Sequence, residues 1–220
     1  PAFHDEIGVE ALQFYVDLLY KHKVVSSEVL SLDSVKSGEY YASGKAAMMW
    51  NWVGFDALAQ SKENSSIVGN NVAGLIPRGG SQRGQHTALS VYWVLSIPTG
   101  SKQPELAYQF IKHCAGVSMD RLTSLAGGCG TRLSTWRDRE VNKLYPCYSA
   151  IESVHENTLS PLPVKQGAQV IEVLNTVVDD AMNMRKSVRE SLVEGAGQVE
   201  KIFRDSGYYE PGGMPKIKGY

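Results

Sequence analysis

The chain has 220 residues, with 22 basic side chains set against 23 acidic ones for a formal charge of −1. That balance gives no electrostatic reason for a nucleic-acid or anionic-membrane partner and suits a neutral ligand. At 43% hydrophobic and 20% charged residues, the composition fits a globular protein large enough to bury a substantial core. The longest uncharged stretch, His86 to Ser101, contains Pro98 and several hydroxyl residues and is too short and polar to span a bilayer. Pro1 to Asp5 has neither the basic nor the apolar region of a signal peptide.

The spacing of Ala11, Leu12, Tyr15, Val16, Leu18 and Leu19 predicts a first helix, with Asp5 or Glu6 at its electropositive start. A shorter helix is expected over Ser34–Ala42, ending near Ser43-Gly44. Ala46–Trp50, after a Gly-Lys break, reads as a buried strand. The pattern turns helical from Trp52 to Gln60. A second strand is expected over Val72–Pro77, stopped by the turn-rich Pro77-Arg78-Gly79-Gly80, and a third over Thr87–Ile97. Past Pro98-Thr99-Gly100, Ser101 can cap a helix striped by Leu106, Ala107, Phe110 and Ile111. A helix over Ser118–Leu125 ends at Ala126-Gly127-Gly128, where glycine supplies a left-handed cap. Farther on, Val170, Ile171, Leu174, Val177, Val178 and Ala181 share one side of a helix starting near Gln166. Ser187-Val188-Arg189-Glu190 is a capping box opening a last helix, which stops at Ser206-Gly207. Tyr208–Tyr220, rich in Pro and Gly, reads as an extended tail. Strands mingled with helices make the chain α/β.

Catalytic constellations are missing. His4, His22, His86, His113 and His155 are scattered, and none forms a paired metal motif; there is no nucleophile elbow. Gly38 to Ala46 fails as a phosphate loop: the glycines are one residue too far apart, and Ala46 stands where Ser or Thr should hold magnesium. Two tyrosine pairs, Tyr40-Tyr41 and Tyr208-Tyr209, raise ferric iron, but adjacent residues of a helix diverge by about a hundred degrees, which argues against the first, and the second sits in the expected tail, so packing accounts for them better. Cys114, Cys129 and Cys147 lack metal spacing. They are either buried thiols or, for Cys129 and Cys147, one bridge in an oxidising compartment.

Four ordered segments carry a family resemblance. Ser37-Gly38-Glu39-Tyr40-Tyr41-Ala42-Ser43-Gly44-Lys45-Ala46-Ala47-Met48-Met49 resembles the "G-K-A-A-M" strand entry of family 1 extracellular solute-binding proteins, the receptors of ABC importers for sugars and related solutes. Trp93-Val94-Leu95-Ser96-Ile97-Pro98, followed by Ser101-Lys102-Gln103-Pro104-Glu105-Leu106-Ala107, is similar to the "W-x-L-x-I-P … S-K-x-P-E-x-A" segment. Gly127-Gly128-Cys129-Gly130-Thr131-Arg132 resembles the "G-G-x-P-T-R" loop with Gly130 in place of Pro. The helix entered at Ser187 resembles the closing "S-x-E-E-A-L" helix, with Arg189 and Ser191 departing from it. The resemblance implies a periplasmic-binding-protein-like (type II) two-lobe α/β fold, of which this chain holds the C-terminal lobe plus part of the N-terminal lobe. Residues 1–90 and 137–220 would build the C-terminal lobe, and 91–136 would belong to the N-terminal lobe and hinge.

A sugar or polyol needs flat aromatic faces for its C–H surfaces and polar groups for its hydroxyl rim. Trp50-Asn51-Trp52 lies where the first expected strand ends, the place where α/β ligands gather. The resemblance turns Trp52 toward the cleft, while the usual burial of aromatic side chains favours packing for Trp50. The resemblance likewise favours Trp93 over Tyr92 as the ligand-facing aromatic. Arg132 can clamp vicinal hydroxyls, the bland alternative being a salt bridge to Asp138 or Glu140. Trp136 is read as structural. The expected ligand set is therefore Asn51, Trp52, Trp93, Arg132 and Tyr92, with no cofactor, no metal and no catalysis. The expected partners are a sugar or polyol and an ABC permease, bound by a monomer that is periplasmic or anchored outside the cell as a lipoprotein. The rivals are a glycosidase using a pair such as Asp56 and Asp138, the same fold carrying iron, a polyamine or an anion, and a plain interaction domain.

Overall fold

The computed structural model describes residues 1–79, 84–160 and 163–209. In chain order the elements are α1 (Glu6–Tyr20), α2 (Ser34–Ala42), α3 (Phe55–Ala59), β1 (Ala88–Leu89), α4 (Pro104–Cys114), α5 (Val117–Leu125), α6 (Leu133–Trp136), α7 (Arg139–Leu144), α8 (Tyr148–Glu156), β2 (Thr158–Leu159), α9 (Gly167–Met182) and α10 (Val188–Asp205). A single 3₁₀ turn, Ser27–Ser31, lies between α1 and α2.

The long helices start where the capping chemistry puts them. Asp5 accepts the Gly8 N–H at 2.9 Å and Asp33 accepts the Lys36 N–H at 2.8 Å, each satisfying an orphan donor of a first turn. Ser187 and Glu190 form the reciprocal box at the head of α10. Gly127 and Gly207 take the left-handed conformation after α5 and α10 (φ 92° and 72°). Gln103, not Ser101, is the N-cap of α4, because Pro104 begins that helix; the Ser101 hydroxyl instead accepts the Gln103 N–H.

The contacts divide the chain into two compact units, Pro1–Ser31 with Pro161–Tyr220, and Leu32–Ser160. In the first, Leu12, Val16 and Leu19 of α1 pack with Val177, Ala181 and Met182 of α9 and with Val188 and Leu192 around the start of α10. Burial of each of the larger of these side chains contributes about 1.5–3 kcal/mol before the entropy of ordering is subtracted. Gly195 lets α10 approach α9 closely, since a Cβ there would collide with Val177. The Tyr20 hydroxyl donates to the Met182 carbonyl at 2.7 Å and joins the ends of α1 and α9.

In the second unit, Trp136, Val141, Cys147, Tyr148 and Ile151 form the core, with Val53, Leu125 and Tyr145 packed on it. Sequence reading did not resolve α6, α7 and α8, which supply this core. Three expected strands need correction. Ala46–Trp50 and Val72–Pro77 form no ladder, and Thr87–Ile97 is reduced to Ala88–Leu89, which pairs in parallel with Thr158–Leu159. An apolar run becomes a strand only where a neighbour offers hydrogen bonds, and this chain offers one only at β2 among the described residues. Accordingly Met48, Trp50, Val72, Val94 and Leu95 are exposed. Helix α4 has the expected stripe, yet Leu106 and Phe110 stay exposed and no residue of the helix is buried. The expected tail lies outside the described residues beyond Tyr209. Tyr208 packs on Phe203, with ring centroids 5.3 Å apart. Among the described residues no helix is long and apolar enough to cross a membrane.

Candidate functional site

The loop Gly127–Arg132 joins α5 to α6 and is fixed from three sides. Below it, the buried Asp120 of α5 accepts the Thr131 N–H at 2.9 Å, the Arg132 N–H at 3.3 Å, and the hydroxyls of Thr131 and Thr135 at 3.2 and 2.6 Å. Burial pushes the Asp120 carboxyl up, but the Thr131 N–H, the Thr135 hydroxyl and the other donors outweigh it and hold the carboxyl below its ordinary range. From α8, the Tyr148 hydroxyl accepts the Gly130 N–H at 2.8 Å and donates to the Gly128 carbonyl at 3.1 Å. From α6, the indole N–H of Trp136 donates to the Gly130 carbonyl at 2.7 Å. Both backbone groups of buried Gly130 are thus satisfied. Trp136 is 8% exposed, which fits its structural reading.

Arg132 turns its guanidinium onto the Ala115 carbonyl just past α4, with Nε at 2.9 Å. The alternative pairing with Asp138 or Glu140 is ruled out by Arg121, which holds both carboxylates. Asp138 also caps α7, accepting the Glu140 and Val141 N–H groups. Its hydrogen bond to Arg121 keeps its carboxyl low, so it is a poor general acid. Asp56 is buried and accepts from the Asn71 side chain and from the Cys147 N–H at 3.2 Å, while Asn71 is held in turn by the Tyr41 hydroxyl at 2.8 Å. Both carboxylates proposed for a glycosidase are therefore occupied in holding the fold. Tyr41 and Tyr40 diverge, Tyr40 lying under the Lys45 ammonium, and no cluster of metal-ligating residues occurs among the described residues.

Asn51 spends its amide inside the protein. Its Nδ2 donates to the Ser34 carbonyl at 2.7 Å and the Ser37 hydroxyl at 3.0 Å, while its Oδ1 accepts the Trp52 N–H at 2.8 Å. Trp52 is 59% exposed and leans on Phe55, with centroids 6.0 Å apart. The Phe55 ring occupies the space that a Cβ on Gly38 would need. Next along the chain, Val53 and Gly54 share a recess with Cys129, Cys147 and Tyr148 that has room for only about one water, too little for a sugar. Tyr92, 54% exposed, hydrogen-bonds His155 through its hydroxyl at 2.9 Å, and His155 lies against Trp136 with centroids 5.3 Å apart. Trp93 is 89% exposed. Val53 and Gly54, just after Trp52, border the Gly127–Arg132 loop, Arg132 ends it, and Tyr92 is linked to it through His155 and Trp136. Trp50, expected to pack, is more exposed than buried. Sequence reading missed Asp120, Tyr148 and His155, which act through partners far along the chain and leave no local signal.

All three thiols are free. Burial, then the Asp56 carboxylate, pushes the Cys147 thiol far up, so it stays protonated at neutral pH. Iodoacetamide at pH 7.5 (about a unit below an ordinary thiol) is expected to label Cys129 well before Cys147, as read by peptide mapping. Equal rates would refute this account of Cys147.

No family model matches the sequence. Solved structures share its fold, three of them as follows. The maltose-bound T. maritima MalE3 is 26% identical, with a TM-score of 0.83 over 91% of this chain and 51% of its own. An ABC-transporter solute-binding protein from Agrobacterium radiobacter in complex with ribitol is 19% identical, with a TM-score of 0.80 over 92% of this chain and 51% of that one. Another from Agrobacterium vitis, with bound D-mannitol, is 20% identical, with a TM-score of 0.77 over 96% and 54%. The chain therefore has the type II periplasmic-binding-protein-like α/β fold of ABC-transporter solute-binding proteins, and it spans about half the length of those it matches.

Proposed function

We propose that this chain is the C-terminal-half portion of a two-lobed solute receptor that binds a carbohydrate or polyol and delivers it to an ABC permease, without catalysis. The observation that carries the reading is one fold shared across more than nine-tenths of the chain with proteins described as bound to maltose, ribitol and mannitol. Exposed Tyr92, linked through His155 and Trp136 to the braced loop, and the exposed Trp52 and Trp93 support it, because rings suit the C–H faces of such ligands. In this reading Trp52, Trp93 and Tyr92 supply the faces, Arg132 the polar rim, and Asn51 holds the Trp52 backbone in place. Residues 1–90 and 137–220 build one lobe. Residues 91–136 cross to the other, where the exposed stripe of α4 would be covered. The ligand bridges the lobes and favours the closed state, which the permease recognises. The receptor works as a monomer outside the cytoplasm, in the periplasm or lipid-anchored.

The test is a thermal-shift screen of the complete receptor against sugars and polyols, followed by titration calorimetry. A binding solute raises the melting temperature by mass action. Trp52→Ala and Trp93→Ala are each expected to weaken the best ligand about tenfold, the worth of one lost aromatic contact. A shift with iron or an amine, and none with any carbohydrate, would sink the reading.

A further inference from the structure

His155 stands exposed in the last turn of α8, just ahead of β2. The Tyr92 hydroxyl lies 2.9 Å from both of its ring nitrogens, and the two rings meet edge-on with centroids 5.7 Å apart. A neutral imidazole offers one donor and one acceptor, and a single hydroxyl engages one nitrogen at a time. The other nitrogen has no protein partner among the described residues. The imidazole also rests against Trp136, whose indole is buried and bonded to the Gly130 carbonyl. The exposed ring is therefore held by two aromatic neighbours, while the nitrogen that the hydroxyl does not engage is left for another hydrogen bond. The loop does not need it, because Asp120, Tyr148 and Trp136 already hold the backbone there. The core does not need it either, since the side chain is exposed.

A fixed aromatic ledge with an unspent donor or acceptor beside an exposed phenol is suited to a polyhydroxylated ligand: the rings carry its C–H face and the nitrogen meets a hydroxyl. We infer that His155 is a ligand-contact residue, pairing one ring nitrogen with a hydroxyl of the sugar or polyol that lies against Tyr92. This rests on the carbohydrate reading above and adds to it a residue that sets which hydroxyl pattern is accepted.

The experiment is titration calorimetry on the complete receptor with maltose, ribitol and D-mannitol as probes, using His155→Ala, His155→Gln and the unsubstituted protein. His155→Ala is expected to weaken the best-bound probe about tenfold, and His155→Gln, which keeps a donor and an acceptor, only about threefold. Melting temperatures of the ligand-free variants separate lost contact from lost folding: the inference requires the affinity to fall while that temperature holds for His155→Gln. Unchanged affinity in both variants, while the unsubstituted receptor binds, overturns the assignment of His155 alone. A receptor whose melting temperature is raised by iron or an amine and by no sugar or polyol of the wider screen overturns the carbohydrate reading together with it.

Discussion

Gly130→Pro, the change that would restore the residue this loop has in the resembling family, is expected to destabilise the protein by about 4 kcal/mol. Two losses combine. Proline has no N–H, so the bond to the Tyr148 hydroxyl disappears and a buried acceptor loses its donor. Any Cβ at this position would also stand 2.8 Å from the Thr135 methyl and 3.1 Å from an Asp120 carboxylate oxygen, with Ser124 closer still. None of these atoms can withdraw easily, because Ser124 and Thr135 are fully buried and Asp120 is held by its own donors. Set against a total stability of about 5–15 kcal/mol, this is a large fraction. Chemical denaturation of Gly130→Pro, Gly130→Ala and Tyr148→Phe apportions the effect. Gly130→Ala should retain the steric share, Tyr148→Phe should cost about 1 kcal/mol, and Gly130→Pro should exceed both. A Gly130→Pro protein as stable as the parent would show that the loop does not sit against α5 and α8 as described. Gly130 and Tyr148 thus fit each other in this loop, the glycine N–H donating to the hydroxyl where no side chain has room.

The helices that sequence reading placed best are those whose signals are local. Ser34–Ala42 falls on α2, with Asp33 bonded to the third residue of the helix. Ser187-Val188-Arg189-Glu190 is the box that opens α10. A cap and its partner sit within one turn, so both are written in consecutive letters. Strands are different. Met48, Val72 and Trp93 look like strand residues because they are apolar and flanked by turns, but a ladder needs a second segment whose position no local pattern records. The same holds for the site. Trp136 could be read as structural from its type and surroundings, and the glycine loop from its composition. The reasons the loop holds its shape could not, because Asp120 meets Thr131 across a helix end and a turn, while Tyr92 meets His155 across 63 positions of sequence. Arg132 shows the limit most plainly: both nearby carboxylates were reasonable partners on paper, but Arg121 reaches them first and leaves Arg132 on a backbone carbonyl.

Asp120→Ala is expected to cost about 3 kcal/mol, from leaving the buried Thr135 hydroxyl and the partly buried Thr131 N–H without their acceptor. The same carboxylate predicts a pH dependence with a definite sign. Its folded pKa lies below that of an ordinary carboxyl in the unfolded chain, so the folded state prefers the charged form. The stability this adds is fully present above the unfolded value and is lost as pH falls through the lower folded one. Asp138, depressed chiefly by its hydrogen bond to Arg121, acts with the same sign in the same window. The loop should therefore loosen on acidification below about pH 4, ahead of contacts that carry no carboxylate. Asp120→Asn separates charge from shape: it keeps the side-chain volume and one acceptor but cannot titrate. Denaturation midpoints followed from neutral pH to about pH 3 should fall less steeply for Asp120→Asn than for the parent, from a lower starting point. If the two curves stay parallel down to that pH, the charge on Asp120 contributes nothing and the loop is held by geometry alone. If the variant starts as stable as the parent, the hydrogen bonds assigned to this carboxylate do not hold the loop. Because the loop ends at Arg132 and its carbonyl at Gly130 seats Trp136 beneath His155, any solute bound against these side chains should also be released more readily below that pH.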